Sequence, residues 1–175
     1  MSIIKFKEAN CQNCYKCIRG CPVKAIAFVN HQASIVEEDC IYCGNCLTLC
    51  PQNAKVVKND VGIVKGFIKK KEKVYVSLAP SFISAFENLD ERWLYAALKR
   101  LGFTHVEETA VGAAKVSEQY DRLLKEKKMI NIITTACPSI TLLVQKYYPE
   151  LLDCLAPVVS PMIAHGKMLR ATYGS

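Results

Sequence analysis

Eight of the ten cysteines lie between positions 11 and 50, in two runs of identical spacing. Cys11, Cys14, Cys17 and Cys21 recur as Cys40, Cys43, Cys46 and Cys50, each shifted by 29 residues, while Pro22 recurs as Pro51 and Ala25 as Ala54. Thiols at this density either pair as disulfides or hold metal. The start Met1-Ser2-Ile3-Ile4-Lys5 lacks the apolar stretch of a signal peptide. The reading therefore places the chain in the cytosol, where a tight cysteine pattern more often means metal. Structural zinc favours two CxxC pairs. Three cysteines at i, i+3 and i+6, followed by a Cys-Pro, instead suit an iron–sulfur cube, which takes four thiolates. One such loop wraps three corners. The fourth ligand must come from elsewhere, and Cys21, four residues after Cys17 on an expected helical turn, points away from its own loop. The expected sets are Cys11, Cys14, Cys17 with Cys50, and Cys40, Cys43, Cys46 with Cys21, holding two [4Fe–4S] clusters close enough to exchange electrons. The proline after each fourth cysteine fixes φ and redirects the chain. Loop amides are expected to donate to cluster sulfurs and tune their potential. Tyr15 and Tyr42, inside the loops, are read as shields against water.

The elements that must position these loops are short. Ile3–Lys7 reads as a first strand. Ala25–Val29 and Ser34–Glu37 read as a hairpin around Asn30-His31-Gln32, and Val56–Lys58 with Gly62–Lys65 as a second around Asn59-Asp60. Residues 1–62 are thus expected to form one α+β domain. A segment this short buries little core, so its clusters are expected to hold it folded.

The formal net charge of +7 raises the question of an acidic or nucleic-acid partner. Two four-thiolate clusters, each adding about −2 or −3, would remove much of it. The excess is also local, since residues 61–75 carry five basic and one acidic side chain. Residues 63–73, with Lys69-Lys70-Lys71-Glu72-Lys73, read as a solvated basic linker; a dock for an acidic redox partner is the sharper alternative. No aromatic interleaving or motif supports nucleic-acid binding, and no stretch reaches the roughly 18–20 apolar residues of a membrane span.

Beyond the basic run the pattern alternates. Val74–Leu78, Phe103–Glu107 and Met129–Thr134 read as strands. Asp90–Leu101, Val111–Lys125, Ser139–Tyr148 and Pro161–Thr172 read as helices, with Gly102 fitting a helix C-terminus. Residues 74–175 are therefore expected to form a partial α/β domain (βαβαβα) with a thin parallel sheet. Three strands leave an exposed edge, so the domain is read as incomplete or finished by another chain. Cys137, in Thr134-Thr135-Ala136-Cys137-Pro138, falls between a strand end and a helix start, where α/β sheets place ligands and a helix N-terminus favours a thiolate. Cys154 reads as a small apolar residue. His31 is expected on the surface of a turn, and His105 and His165 in packing or surface roles.

Residues 1–62 resemble the bacterial dicluster ferredoxins, because both C-x2-C-x2-C-x3-C-P runs are present. The resemblance implies a pseudo-twofold α+β fold and one-electron carriage. Residues 74–172 resemble the N-terminal part of the catalytic domain of iron-only ([FeFe]) hydrogenases, on three stretches: Ala79-Pro80-Ser81, Thr134–Pro138, and Tyr148-Pro149-Glu150-Leu151 with Ser160-Pro161. This implies Cys137 as a candidate H-cluster ligand, the first of four, and Pro80 and Ser81 as candidate lining of the diiron pocket. The family's second and third cysteine motifs do not occur in these 175 residues, so an H-cluster is not expected in this chain alone. Ala136 stands where the family has a proton-relay cysteine, a departure that resembles the sensory or poorly active members.

Three functions follow from this reading. The first is an electron carrier with a redox protein partner: a ferredoxin, an oxidoreductase or a signalling module. The second is a fragment of a catalytic or H2-sensing hydrogenase. The third is a redox subunit docking on another chain.

Overall fold

The computed structural model describes residues 3–86, 90–127 and 129–174; Met1-Ser2, which entered the compartment reading, lies outside them. The chain divides into two compact units. The first comprises Met1–Asn59 with Pro138–Leu152, the second Asp60–Cys137 with Asp153–Ser175.

In the first unit, β1 (Ile4–Phe6) pairs antiparallel with β4 (Lys55–Val57), and β2 (Ile26–Val29) with β3 (Gln32–Ile35). Between them lie α1 (Lys16–Gly20) and α2 (Asn45–Thr48). The 29-residue repeat in sequence is a repeat in backbone geometry. Left-handed residues recur at Asn13 and Tyr42, at Tyr15 and Gly44, and at Lys24 and Asn53. The turns after each fourth cysteine close alike: the Lys24 amide donates to the Cys21 carbonyl and the Asn53 amide to the Cys50 carbonyl, both at 3.3 Å. Ala25 and Ala54 are both 1% exposed, so neither site has room for a larger side chain. The two halves meet at Gly20, where an added Cβ would lie 2.2 Å from a Leu49 methyl. Gly20 and Leu49 are themselves 29 residues apart, so equivalent positions face one another and one must be small. Asn45 Nδ2 donates to the Gly20 carbonyl at 2.6 Å and fixes that approach.

The hairpin expected around Asn59-Asp60 does not form. β4 takes β1 as its partner, and the Lys58 amide donates to the Ile3 carbonyl at 2.8 Å. Gly62–Lys65 lies instead within α3 (Val61–Lys69), in the second unit. Val61, Val64 and Ile68 have helical spacing, which outweighs alternation read over four residues. The expected linker is therefore largely helical. Its basic run ends α3, with Lys71 left-handed, its amide donating to the Ile68 carbonyl and the Glu72 amide donating to the Phe67 carbonyl. This is a Schellman-type closure, and lysines there complement the negative end of the helix.

The rest of the second unit is a βαβ core. β5 (Tyr75–Leu78) and β6 (His105–Glu108) pair in parallel, connected through α4 (Phe82–Ala85) and α5 (Glu91–Arg100). Asp90 caps α5 by accepting from the Arg92 amide at 2.9 Å. After α5, Gly102 adopts φ +106, and an added Cβ would meet Ile68 of α3 at 2.6 Å. α6 (Ala110–Glu126) and α8 (Pro161–Tyr173) cross at Gly112, where a Cβ would lie 2.4 Å from the Pro161 carbonyl oxygen. The third expected strand is reduced to a single parallel bridge, Ile133 to Leu155. Residues Pro149–Cys154 form a 3-10 helix, so their backbone cannot extend the pairing, and Ile130 stays fully exposed. Among the described residues the parallel sheet thus has two strands.

A buried polar network ties this unit together. His165 is 0% exposed. One ring nitrogen, Nε2, lies 3.1 Å from Glu107 Oε2, and the other, Nδ1, lies 2.8 Å from Ser77 Oγ. A carboxylate only accepts, so Nε2 carries the proton that faces Glu107, while Nδ1 shares a second hydrogen bond with the Ser77 hydroxyl. Tyr173 donates to Glu107 Oε1 at 3.1 Å and stacks on Tyr75 with centroids 5.3 Å apart. The packing role expected of His165 is the one it has; His31 is exposed.

Two outcomes follow. Gly112→Ala should destabilise the chain by about 1–3 kcal/mol, because backbone lies where the methyl would go; thermal unfolding measures it. Hydrogen bonds from His165, then His105, hold the Glu107 carboxyl below its ordinary value, against the effect of burial. A lowered carboxylate stabilises the fold above its unfolded value, near ~4.3. That stability is lost as pH falls through the lower folded value. Calorimetry from about pH 6 to about pH 3 should therefore show a falling melting temperature, with a shallower fall in Glu107→Gln.

Candidate metal centres

Each four-cysteine set converges on one cavity of the first unit. Cys11, Cys14, Cys17 and Cys50 line the first, with Tyr15 and Phe28 among its walls. Cys21, Cys40, Cys43 and Cys46 line the second, with Ile26 and Ile41 among its walls. In both, three thiols come from one loop and the fourth from the turn of the other repeat. The left-handed residues in the loops are the backbone type that gathers amides into anion-binding concavities. Two thiols already accept from such amides: Cys40 from Tyr42 at 3.4 Å, and Cys50 from Ala54 at 3.3 Å.

The thiols are part of the core itself. Cys17 and Cys21 are buried beside Ala25, Ile26 and Ala33, with Cys40 and Cys46 packed against them. Burial pushes the Cys46 thiol up to about 11, opposed by the Lys55 charge and reinforced by Cys40 and Cys43. At Cys50 burial also acts upward, but hydrogen bonds from the Ala54 and Gln52 amides and the Lys55 charge outweigh it, and the thiol lies below its ordinary value. A metal cation between buried thiols removes the repulsion they would have as thiolates. Among the described residues no three ligating side chains already stand close enough together to hold a metal ion. Four thiols spread around one cavity suit a cube with iron at alternate corners.

Sequence reasoning missed Lys55. It is 4% exposed, with Nζ 3.4 Å from Cys17 Sγ and 4.8 Å from the centroid of the Phe6 ring. The signal was present in the repeat, where position 55 corresponds to Ile26. Gln52 was also missed; its Oε1 accepts from Cys14 at 3.7 Å. Of the two tyrosines read as shields, Tyr15 lines the first cavity and packs on Phe28 at 5.0 Å. Tyr42 is half-buried. The unit is completed by α7 (Pro138–Tyr147). Lys146 Nζ donates to the Cys40 carbonyl at 2.8 Å and Tyr147 Oη to the Asp39 carbonyl at 2.7 Å, so α7 clasps the second loop.

In the second unit, Pro80 and Ser81 stand at the C-terminal end of β5, and Cys137 ends the segment that follows Ile133; all three are exposed. Cys154 is half-buried, and its carbonyl accepts from the Ile133 amide at 2.7 Å.

Two cysteine-lined cavities on a twofold-repeated α+β unit define an iron–sulfur protein of ferredoxin type. In agreement, residues 3–51 match the 4Fe-4S dicluster domain family. Residues 72–175 match the family described as iron only hydrogenase large subunit, C-terminal domain, and the chain belongs to that family. The chain is 27% identical to the NADP-reducing hydrogenase subunit HndD of Solidesulfovibrio fructosivorans, with 81% of this chain and 28% of that protein covered. It is 26% identical to iron hydrogenase 1 of Clostridium pasteurianum, covering 96% and 34%. It is 23% identical to the cytosolic Fe-S cluster assembly factor NAR1 of Candida dubliniensis, covering 79% and 26%. The chain thus spans about a quarter to a third of the length of these three relatives. It is an iron–sulfur electron-transfer protein of hydrogenase-like type. Among the described residues no helix is long and apolar enough to cross a membrane.

The exchanged ligand gives a direct test. Cys50→Ser should perturb the cluster signal of the Cys11 loop and leave that of the Cys40 loop intact, as read by EPR and iron content. Damage confined to the Cys40 loop would reverse the assignment.

Proposed function

We propose that this chain is the electron inlet of an iron-only hydrogenase-like protein, carrying two [4Fe–4S] clusters. Cys11, Cys14, Cys17 and Cys50 hold one; Cys40, Cys43, Cys46 and Cys21 hold the other. The observation that carries this reading is the convergence of each set on its own cavity. A bound cluster would accept and release one electron at a time. The protein's part is to fix the thiolates, to exclude water with apolar walls such as Phe28 and Ile41, and to set the potential through amides and charge. Electrons arrive from a redox protein partner, and the cytoplasm is the compartment that the name of the Candida dubliniensis relative favours.

The domain at residues 74–175 is read as the receiving end, with Cys137 as its candidate H-cluster ligand and Pro80 and Ser81 as candidate pocket residues. One cysteine of the four expected by resemblance cannot hold that cluster, and Ala136 cannot relay protons. The 175 residues alone therefore carry electrons without turning over hydrogen. The test is anaerobic reconstitution of this chain with iron and sulfide. About eight irons per chain are expected, together with no H2-dependent dye reduction. About four irons or bound zinc would overturn the cluster assignment; sustained dye reduction would overturn the carrier reading.

A further inference from the structure

The repeat that builds the first unit is broken at one buried position. Position 26 and position 55 are equivalent by the 29-residue shift. Both open the strand after a fourth cysteine, and both are buried, at 6% and 4% exposure. Ile26 lines the cavity of the Cys40 set, whereas Lys55 lines that of the Cys11 set. One centre thus has an apolar wall where the other has an ammonium. Lys55 Nζ lies 3.4 Å from Cys17 Sγ, within hydrogen-bond reach of a thiolate, and the face of Phe6, its partner across the strand pair, sits 4.8 Å away. A buried ammonium needs a counter-charge. Among the described contacts the one supplied is a cysteine sulfur, and the aromatic ring adds to it.

We propose that Lys55 makes the two clusters unequal, so that the cluster of the Cys11 set is reduced first and holds the electron. This deepens the electron-inlet reading and rests on it. Each reduction adds one negative charge to a cluster and its thiolates. A fixed cation nearby favours the reduced form, and hydrogen bonds to the sulfur act in the same direction. The Lys55 charge also reaches Cys46 of the other set, but Nζ lies within hydrogen-bond reach of Cys17 Sγ and the effect falls with distance, so the cluster of the Cys11 set gains more. Two clusters on a strictly repeated frame would otherwise have similar potentials and share the electron. Lys55 is a positioning residue in this sense: it biases where the electron rests and touches no substrate.

The experiment is an EPR-monitored redox titration of the full reconstituted chain, with iron measured on each sample. Wild type should titrate in two separated one-electron steps. Lys55→Met should lower the higher step about tenfold in its reduction equilibrium, or about 59 mV, and lower the other by less. Lys55→Arg should keep the separation. Ile26→Lys should raise the lower step and also bring the two together. Should Lys55→Met load poorly, Lys55→Gln keeps a donor without the charge and is read in the same way. A single step in iron-replete wild type, or an equal shift of both steps on removing the charge, overturns the proposal. A wild-type chain with fewer than about eight irons would instead overturn the two-cluster reading beneath it.

Discussion

Cys21 and Cys50 each leave the loop of their own repeat and face the cavity of the other. The first unit depends on that exchange. Its strands are three or four residues long and its two central helices four or five, too short to persist alone. Its buried core is built from cysteines, alanines and a few isoleucines. Cluster binding at these cavities would therefore be coupled to folding. The same exchange interlocks the halves, so a ligand lost from one repeat is felt at the cavity of the other. Every device around it serves this arrangement: left-handed loop residues, alanines after the prolines, the Gly20 notch for Leu49.

The second unit is held by different means. Its parallel strands are linked through a buried imidazole whose two nitrogens reach Ser77 on β5 and Glu107 on β6. α8 supplies that imidazole, and Gly112 lets α8 approach α6 closely enough to bring it there. Close packing and a fully partnered polar network do for this unit what thiolates do for the first.

The repeated cysteine runs, the β2–β3 hairpin and helices α5 to α8 were legible in the sequence because each carries a local signature: a fixed spacing, a turn, or a long helical period. The failures were of two kinds. Gly62–Lys65 was read as a strand because four residues fit alternation as well as they fit a helix, and only the pairing of β1 with β4 decides between them. Met129–Thr134 was read as a strand from apolarity alone, whereas strand formation needs an extended partner, and residues 149–154 are helical. Lys55 was overlooked because a lysine in a short basic chain looks solvated. Its burial follows from a strand pairing between positions 6 and 55 that no local pattern announces. Likewise the docking of α7 on the second cysteine loop joins residues 146 and 40, a contact with no local signal.

The central claim is that two clusters sit close together because each repeat lends a ligand to the other. EPR of the chain at half and at full reduction tests it most directly. The account predicts a simple single-cluster signal at half reduction that broadens and splits at full reduction, as the two reduced spins couple. A fully reduced spectrum that is the plain sum of two independent signals would contradict it.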